Sequence, residues 1–464
     1  MSMVIVAAGL ALGLMLVWLA RKPQWRLAAI VMAALALPGN IDNLWPQAVL
    51  DVHDLPDRES PVVVVGDVVL LVALWATARE GRFRTLRATE TLWPWLLAAW
   101  SVFGGGFLIA VGHGLFGDSE ASSVKGSLLW VRLAIVVTVA VAHPLPWNPR
   151  QTRAFATACG VSLISLLANG IYTTARLDDA RFTAATFGRN SFGSVLALLA
   201  LLFAGIALSH HSQWRRALLP GMASLAAVAA VGATGTRIAL AVLLVGAGVL
   251  VVLTLTTWRV AVRAGAVIAG LLTLTYGIRS LLPGRSGELL YGIDLRTGAI
   301  GGPIRTRLDF WESAISMANQ FPLAGVGPYQ WNIQRYSHGV TIQVVADTHN
   351  AYLQMAAEYG WVLGLAYSAL IIAVVTATLV GAWRTVRAGQ GHDVWVLRAL
   401  LSAAVCYPIT DLTNSGLFNQ RVGVFGWLLL GVALASTRTR QSEAAATAAT
   451  RQSQETRSER QSSS

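Results

Sequence analysis

Lysine is almost absent from this chain of 464 residues, since Lys22 and Lys125 are the only two. The net charge of +12 is therefore nearly all arginine, much of it in short loops and the tail. That distribution makes nucleic acid a poor partner; it suits anionic headgroups and the excess of basic residues on the inner side of a membrane. Charge of either sign is scarce, at 12% of residues against 55% hydrophobic, with a mean hydropathy of +0.57. These proportions exclude an ordinary soluble domain. Cysteine is scarce too. Cys159 and Cys406 both sit inside apolar runs, which excludes a disulfide framework and a cysteine metal site and leaves them as small core residues. The first apolar run, Val4 to Ala20, has no basic stretch before it and no small-residue cleavage site after it. It is expected to be a retained span, not a signal peptide.

What the chain does have is apolar runs of membrane-crossing length, and they predict an all-α polytopic membrane protein of twelve or thirteen spans. The expected spans are 3–20, 26–38, 61–78, 92–112, 128–143, 154–173, 191–208, 217–233, 238–256, 260–282, 351–380, 395–411 and 422–437. The second is short for a full bilayer, which leaves the side of the N-terminus open. Arginines mark alternate loops: Arg79, Arg82, Arg84 and Arg87; Arg150 and Arg153; Arg215 and Arg216; Arg259 and Arg263; Arg384 and Arg387. Those loops are expected in the cytoplasm, so the loop from 283 to 349 faces outward, as do 39–60 and 174–190. The chain divides into membrane helices with short loops over 1–282, a periplasmic loop domain over 283–350, C-terminal membrane helices over 351–437, and a cytoplasmic tail over 438–464. The tail, rich in Ser, Gln, Ala and Thr, is expected to be disordered.

A long outward loop that closes on a titratable side chain is where chemistry is expected in such a protein. This one ends in Asp347-Thr348-His349-Asn350, just before a span. Thr348 is expected to cap that helix, which puts His349 in its first turn, where the dipole keeps the imidazole neutral unless Asp347 offsets it. Asn350 and Tyr352 beside it are further candidates. Within the loop, Leu308, Trp311, Ile315 and Ala318 recur at helical spacing and predict an amphipathic helix. Phe321 to Pro328 ends it, with Pro328 able to open a second short helix. Two outward arginines have no orienting reason to be there. Arg189, in Thr186-Phe187-Gly188-Arg189-Asn190-Ser191, precedes one apolar helix, and Arg237, in Gly235-Thr236-Arg237, precedes another. A guanidinium there can hold phosphate oxygens through paired hydrogen bonds; the plain alternative is snorkelling to lipid headgroups.

These residues resemble the O-antigen ligases and the related O-antigen polymerases. The likeness runs from about Gly235 to Leu365. It rests on Thr236-Arg237, the segment Arg307 to Trp311, Pro322-Leu323-Ala324-Gly325-Val326-Gly327-Pro328, and His349-Asn350 followed nine residues on by Gly360. Family members often carry a second glycine three positions after that one; here Leu363 holds the place and Gly364 follows. Phe187 to Asn190 is similar to the family's interfacial arginine site, less specifically.

The resemblance implies a bundle related to the GT-C integral-membrane glycosyltransferases, in the bacterial inner membrane with its active site facing the periplasm and its C-terminus cytoplasmic. The implied donor is O-antigen on undecaprenyl diphosphate and the implied acceptor is lipid A-core. Arg189 and Arg237 would clamp the diphosphate, and His349 would take the acceptor's proton in a direct, inverting displacement. Arg305 or Arg307 could add charge from the loop or only anchor its helix. No cofactor and no metal is expected, because arginine can neutralise the leaving group and no compact Asp-x-Asp motif occurs in an outward loop. Asp178-Asp179 comes nearest and reads as a solvated pair. An O-antigen polymerase or a protein O-oligosaccharyltransferase would use the same donor with another acceptor. From a different class, a lipid-linked glycan flippase or secondary transporter also needs many spans. Such proteins usually place ionisable residues inside several spans, and Val195 to Leu208 and Ile238 to Leu253 have none.

Overall fold

The computed structural model of the protein describes residues 3–36, 65–88, 91–117, 120–145, 149–177, 189–210, 213–254, 270, 273, 302–340, 347–387, 392–414 and 417–462. Its elements are helices, with no strand among the described residues. In chain order they are α1 (Met3–Ala20), α2 (Arg26–Leu35), α3 (Val65–Arg79), α4 (Arg82–Ala88), α5 (Trp93–Phe116), α6 (Glu120–Ala142), α7 (Pro149–Leu177), α8 (Arg189–Ser209), α9 (Trp214–Thr234), α10 (Arg237–Thr254), α11 (Gly302–Gln320), α12 (Trp331–Gln334), α13 (Ala351–Arg387), α14 (His392–Thr413) and α15 (Gln420–Ser462). Seven stretches of these helices, among the described residues, are long and apolar enough to cross a membrane: Trp93–Phe116, Ser122–Ala142, Pro149–Ala175, Asn190–Ser209, Trp214–Thr234, Ala351–Trp383 and Arg421–Thr439. Ala11–Ala20, Arg26–Leu35 and Arg237–Leu253 are apolar but shorter.

Two expectations change here. The run 26–38 folds as the ten-residue α2, too short at about 15 Å to cross a bilayer straight. The tail, expected to be disordered, continues α15 without a break as far as Ser462. The alanines of 444–449 carry it, because alanine is the strongest helix former and the polar residues around it need no burial. The run 260–282 and the first part of the long loop lie outside the described residues.

The long helices run back and forth between two ends of the bundle. At one end His113 of α5, Gly126 of α6, Ser191 of α8 and Asn414 after α14 meet each other or the segment 322–330. At the other end Arg26 is fully buried at the head of α2 and ties three helices together. It donates to the Ala20 carbonyl (2.9 Å) and to Glu80 (2.8 Å), and lies 2.8 Å from His143 Nε2, which must accept because a guanidinium has only donors. The arginines of 79–87, 150–153, 215–216 and 384–387 are all at this second end. Between the two ends Asp67 and Arg132 form a buried two-pronged ion pair, at 2.5 and 2.7 Å, that joins α3 to α6.

Packed on the first end, α11, α12 and the following 3-10 turn Arg335–His338 enclose a small core of their own, built from Phe310, Ala314, Met317, Val326, Trp331 and Val340 with Ala357 of α13. The buried stripe on α11 is thus Phe310, Ala314 and Met317. The expected stripe is one step off: Leu308 and Ile315 point outward, and only Trp311 and Ala318 turn in. Phe310 and Trp331 meet edge to face at 5.6 Å, and the Trp331 indole donates to Ser313 (3.1 Å). Pro328 does not start a helix; it seats against Gly126, and α12 begins only after Gln330.

What fastens this small domain to the bundle is a break in α13. Gly360 has φ 86° and ψ 163°, far from helical, so the helix turns a corner there. The corner is sharp enough that Gly364 comes against the backbone of Ala356, eight residues earlier. A break inside a membrane helix frees backbone groups that lipid cannot satisfy. The segment 322–328 supplies the partners: Val326 N–H donates to Ala357 O (2.9 Å), Gly327 N–H to Glu358 O (3.0 Å), and Trp361 N–H to Pro322 O (2.8 Å). Leu363 then packs near Gly105, so the missing second glycine is displaced by one position to Gly364, where the close approach falls.

A Cβ on Gly360 would meet the backbone of Pro322 and Leu323 at 2.6 to 2.8 Å, and its φ is one that L side chains avoid. Gly360→Ala is expected to destabilise the purified protein by at least about 1–3 kcal/mol. Gly104→Ala, at a helical glycine with nothing near its Cβ, is expected to leave stability unchanged or raise it slightly. Thermal unfolding of both variants in detergent checks the contrast.

Candidate active site

Two helix N-termini lie side by side under the small domain. Helix α9 ends at Gly235, whose φ of 64° lets the chain reverse at once into α10, so Arg237 becomes the first residue of that helix. Arg189 is the first residue of α8. One turn along, Gly193 is so close to Thr234, Thr236 and Ala239 that a Cβ would not fit, which brings the start of α8 against the start of α10. The side chain of Arg189 lies outside the described portion. Ser191 accepts from Asn414 (2.9 Å), adding the end of α14 to the same place. Helix N-termini carry positive partial charge and unpaired N–H groups, and so favour an anion.

Helix α11 separates its two arginines. Arg305 is exposed and pairs with Asp309 one turn on (3.2 Å), a solvated contact worth little. Arg307 is turned toward the bundle. Burial pushes its pKa below the usual arginine value, the charge of nearby Arg237 pushes it the same way, and Asp347 acts against both. An arginine keeps its proton at neutral pH in any case. So two guanidinium groups from different elements are held in mutual repulsion in a half-buried place, with a carboxylate as partial relief. Such a place carries a positive potential that favours an anion.

Asp347 belongs to the turn that opens α13, and here the structure departs from the expected cap. Asn350, not Thr348, is the N-cap: its Oδ1 accepts the N–H groups of Tyr352 and Leu353, each at 3.1 Å. The buried Thr348 hydroxyl closes a local turn on Asn350, donating to its carbonyl (2.7 Å) and accepting its N–H (3.1 Å). His349 consequently sits before the helix, not in its first turn, with φ 54°. Asp347 Oδ1 accepts the His349 N–H (2.7 Å) and lies 2.9 Å from Nδ1, out of line for a good hydrogen bond to the ring. The side chain of His349 is 30% exposed, and its ring stands 6.1 Å from Phe310. A left-handed histidine is held in place only where its surroundings require it.

Arg237, Arg307 and the Asp347–His349 pair are thus brought within electrostatic reach of one another, and the start of α8 joins them through Gly193. Arg305 is outside this group. Asn350 acts as a cap, and Tyr352 donates to the Pro408 carbonyl (3.2 Å), a bond that ties α13 to α14. Sequence reasoning missed a second polar group at the same end. Tyr329, with φ 57°, donates its N–H to the buried Glu358 (2.8 Å), Gln354 donates to the other carboxylate oxygen (3.0 Å), and the Lys125 ammonium sits 4.5 Å from the Tyr329 ring. Phe418 stacks edge-on against that ring at 6.0 Å. Arg421 opens the last span at this end as well. One signal was legible: Lys125 is one of only two lysines in a chain that otherwise uses arginine, and it lies near the start of a helix.

These features describe a helical membrane protein in which arginines, a carboxylate and a histidine gather at one end of the bundle, beside a small helical domain. Residues 222–368, which hold Arg237, Arg307 and His349, match the family model described as O-antigen ligase, and this places the domain in the O-antigen ligase family. The match supports, for this domain, a function of the O-antigen ligase and polymerase type, with polysaccharide or lipid-linked substrates in general. A comparison with curated proteins found no match.

Asn350→Ala removes both cap bonds of α13. It is expected to lower stability by about 0.5–2 kcal/mol while Asn350→Asp, which keeps an acceptor, loses much less. Chemical or thermal unfolding in detergent checks it.

Proposed function

We propose that the protein is an O-antigen ligase: it transfers a glycan from undecaprenyl diphosphate to a sugar hydroxyl of lipid A-core, on the periplasmic side of the inner membrane, by metal-independent inverting displacement. The observation that carries this reading is the approach of Arg237 and Arg307 to each other beside Asp347 and His349. A diphosphate is the anion that such a place would take. As the bond between the anomeric carbon and the diphosphate oxygen breaks, negative charge builds on that oxygen, and paired guanidinium groups stabilise it more than the substrate's ground state. Arg189, at the adjacent helix start, would complete the clamp.

The acceptor hydroxyl approaches the opposite face of the anomeric carbon, and its proton passes to His349 as the new glycosidic bond forms. Asp347 lies beside Nδ1 and the backbone N–H of His349. With the carboxylate on that side of the ring, Nε2 would take the proton and Asp347 would offset the positive charge that follows. The exit of the departing lipid diphosphate and the release of that proton return the site to its starting state. Orientation follows from the arginines at the far end of the bundle, which the excess of basic residues on the inner side assigns to the cytoplasm.

His349→Asn is the informative variant, because asparagine tolerates the same left-handed backbone yet cannot accept the proton. Transfer is expected to fall by about 10²–10⁴-fold with the protein inserted and folded; near-normal surface glycan in a complemented strain would remove the histidine's role. Arg237→Lys is expected to cost about 10- to 100-fold, since a point charge cannot reproduce the two-pronged contact. Full activity there would reduce Arg237 to a lipid anchor. The acceptor is read from product size: purified protein is given the lipid-diphosphate glycan together with lipid A-core or with a second donor. A single-step adduct on lipid A-core supports the ligase, and lengthened donor chains alone would show a polymerase.

A further inference from the structure

At the end of the bundle opposite the catalytic domain, basic side chains are paired with tryptophan faces on helix after helix. Arg21 and Arg79 stack on Trp75 (5.8 and 5.4 Å), Lys22 on Trp18 (5.3 Å), Arg215 on Trp214 (5.6 Å) and Arg438 on Trp95 (5.8 Å). Amphipathic indoles and basic groups gathered at one level mark the height of the lipid headgroups. Of these pairs, Arg438 and Trp95 stand at a groove of about 560 Å³ between α5, α13 and α15. Apart from Arg438, Trp95 and Thr376, that groove is lined by alanine, isoleucine, valine and glycine, including Ala369, Ala373 and Ala377 of α13.

The groove's length separates its possible occupants. From Ala369 to Gly381 the helix rises about 18 Å. That is well short of the roughly 30 Å of a hydrocarbon core, so the groove runs from one interface to a little past the midplane. A helix of a second copy would need the whole thickness to pack well, whereas one acyl chain of a phospholipid in that leaflet needs no more than this. The positive charge at the mouth selects an anionic headgroup, because a guanidinium in a partly dry place binds phosphate oxygens strongly.

We propose that this groove is a binding site for an anionic glycerophospholipid of the leaflet opposite the catalytic domain, with one acyl chain along α13 and the phosphate at Arg438. The site is separate from the diphosphate clamp and does not depend on the reading of that clamp. A lipid held there fills the space between α5, α13 and α15, the helices that at their other ends carry His113, the Gly360 corner and Phe418 around the catalytic domain.

The test uses the full-length protein, purified in detergent and stripped of lipid, then titrated with phosphatidylglycerol or phosphatidylcholine and followed by native mass spectrometry and thermal unfolding. The expected result is one retained phosphatidylglycerol per chain, a higher melting temperature, and weak retention of phosphatidylcholine. Arg438→Gln should weaken phosphatidylglycerol binding by about fivefold, and Arg438→Lys by less. Ala373→Phe, which fills the groove, should abolish retention and leave the lipid-free melting temperature within a few degrees; should that variant fail to fold, Ala377→Leu serves the same purpose. Equal retention of both lipids, or retention unaltered in the arginine and groove-filling variants, would overturn the proposal. A change from dimer to monomer in the groove-filling variant, with lipid retention unchanged, would overturn it in favour of a second copy.

Discussion

The break at Gly360 is the constraint on which the candidate-site end of this protein depends. Without it, α13 would run straight from Ala351, and the segment 322–328 would have no open backbone to grip. With it, two carbonyls and one N–H of a membrane helix are exposed, and lipid cannot satisfy any of them. The cost of leaving them bare, several kcal/mol for each group, is what makes the docking of Val326, Gly327 and Pro322 so specific. Positive φ at Gly325 and at Gly360 lets two backbones come together at distances no side chain would allow. Because α11 is joined directly to this segment, fixing 322–328 also fixes Phe310 and Arg307. Because Ala351 to Tyr359 is the other partner, it fixes Asn350, His349 and Asp347 as well. One conformational irregularity therefore sets the relative positions of side chains that lie some forty residues apart in the chain.

Much of this was legible in the sequence, and the residues show why. Long apolar runs are reliable, since burying backbone in lipid leaves the helix as almost the only option; α5 to α9 fall close to the expected spans. Arg237 and His349 drew attention as polar side chains at the edge of apolar runs, and the structure brings both near Arg307 and Asp347. The exact cap was not. Thr348 and Asn350 are both good capping residues two positions apart, and the choice depends on Asp347 and on the corner at Gly360, neither of which periodicity reports. The stripe on α11 was misread for a related reason: Leu308 and Ile315 are as apolar as Phe310 and Met317, and only the position of Trp331 decides which set is covered. Gly360 was recognised as part of a spacing, but that its φ is positive follows from the loop it must touch, not from its neighbours in sequence.

Arg305 and Arg307 illustrate the same limit at the level of electrostatics. Both occupy one helix, two positions apart, so on a helical wheel they point in different directions. Arg305 finds Asp309 and water, while Arg307 finds a second guanidinium and a carboxylate. No local pattern distinguishes them. The distinction lies in which face of α11 the Phe310 cluster buries, so the charge of the candidate site is set by apolar packing around Trp331.

The position of His349 before α13, and not within it, changes what the ring faces. In a first turn its backbone N–H would be one of the unpaired donors of the helix. Ahead of the helix, with φ 54°, that N–H is taken by Asp347 (2.7 Å), and the ring is left beside the same carboxylate, 2.9 Å from Nδ1, and within 6.1 Å of Phe310. Asp347 also acts against the repulsion that Arg307 meets from Arg237. One carboxylate therefore faces both the imidazole and the guanidinium pair. The turn closed by Thr348 and the cap at Asn350 hold the segment that carries it, so the local hydrogen bonds at the head of α13 determine how the charges of this end are arranged.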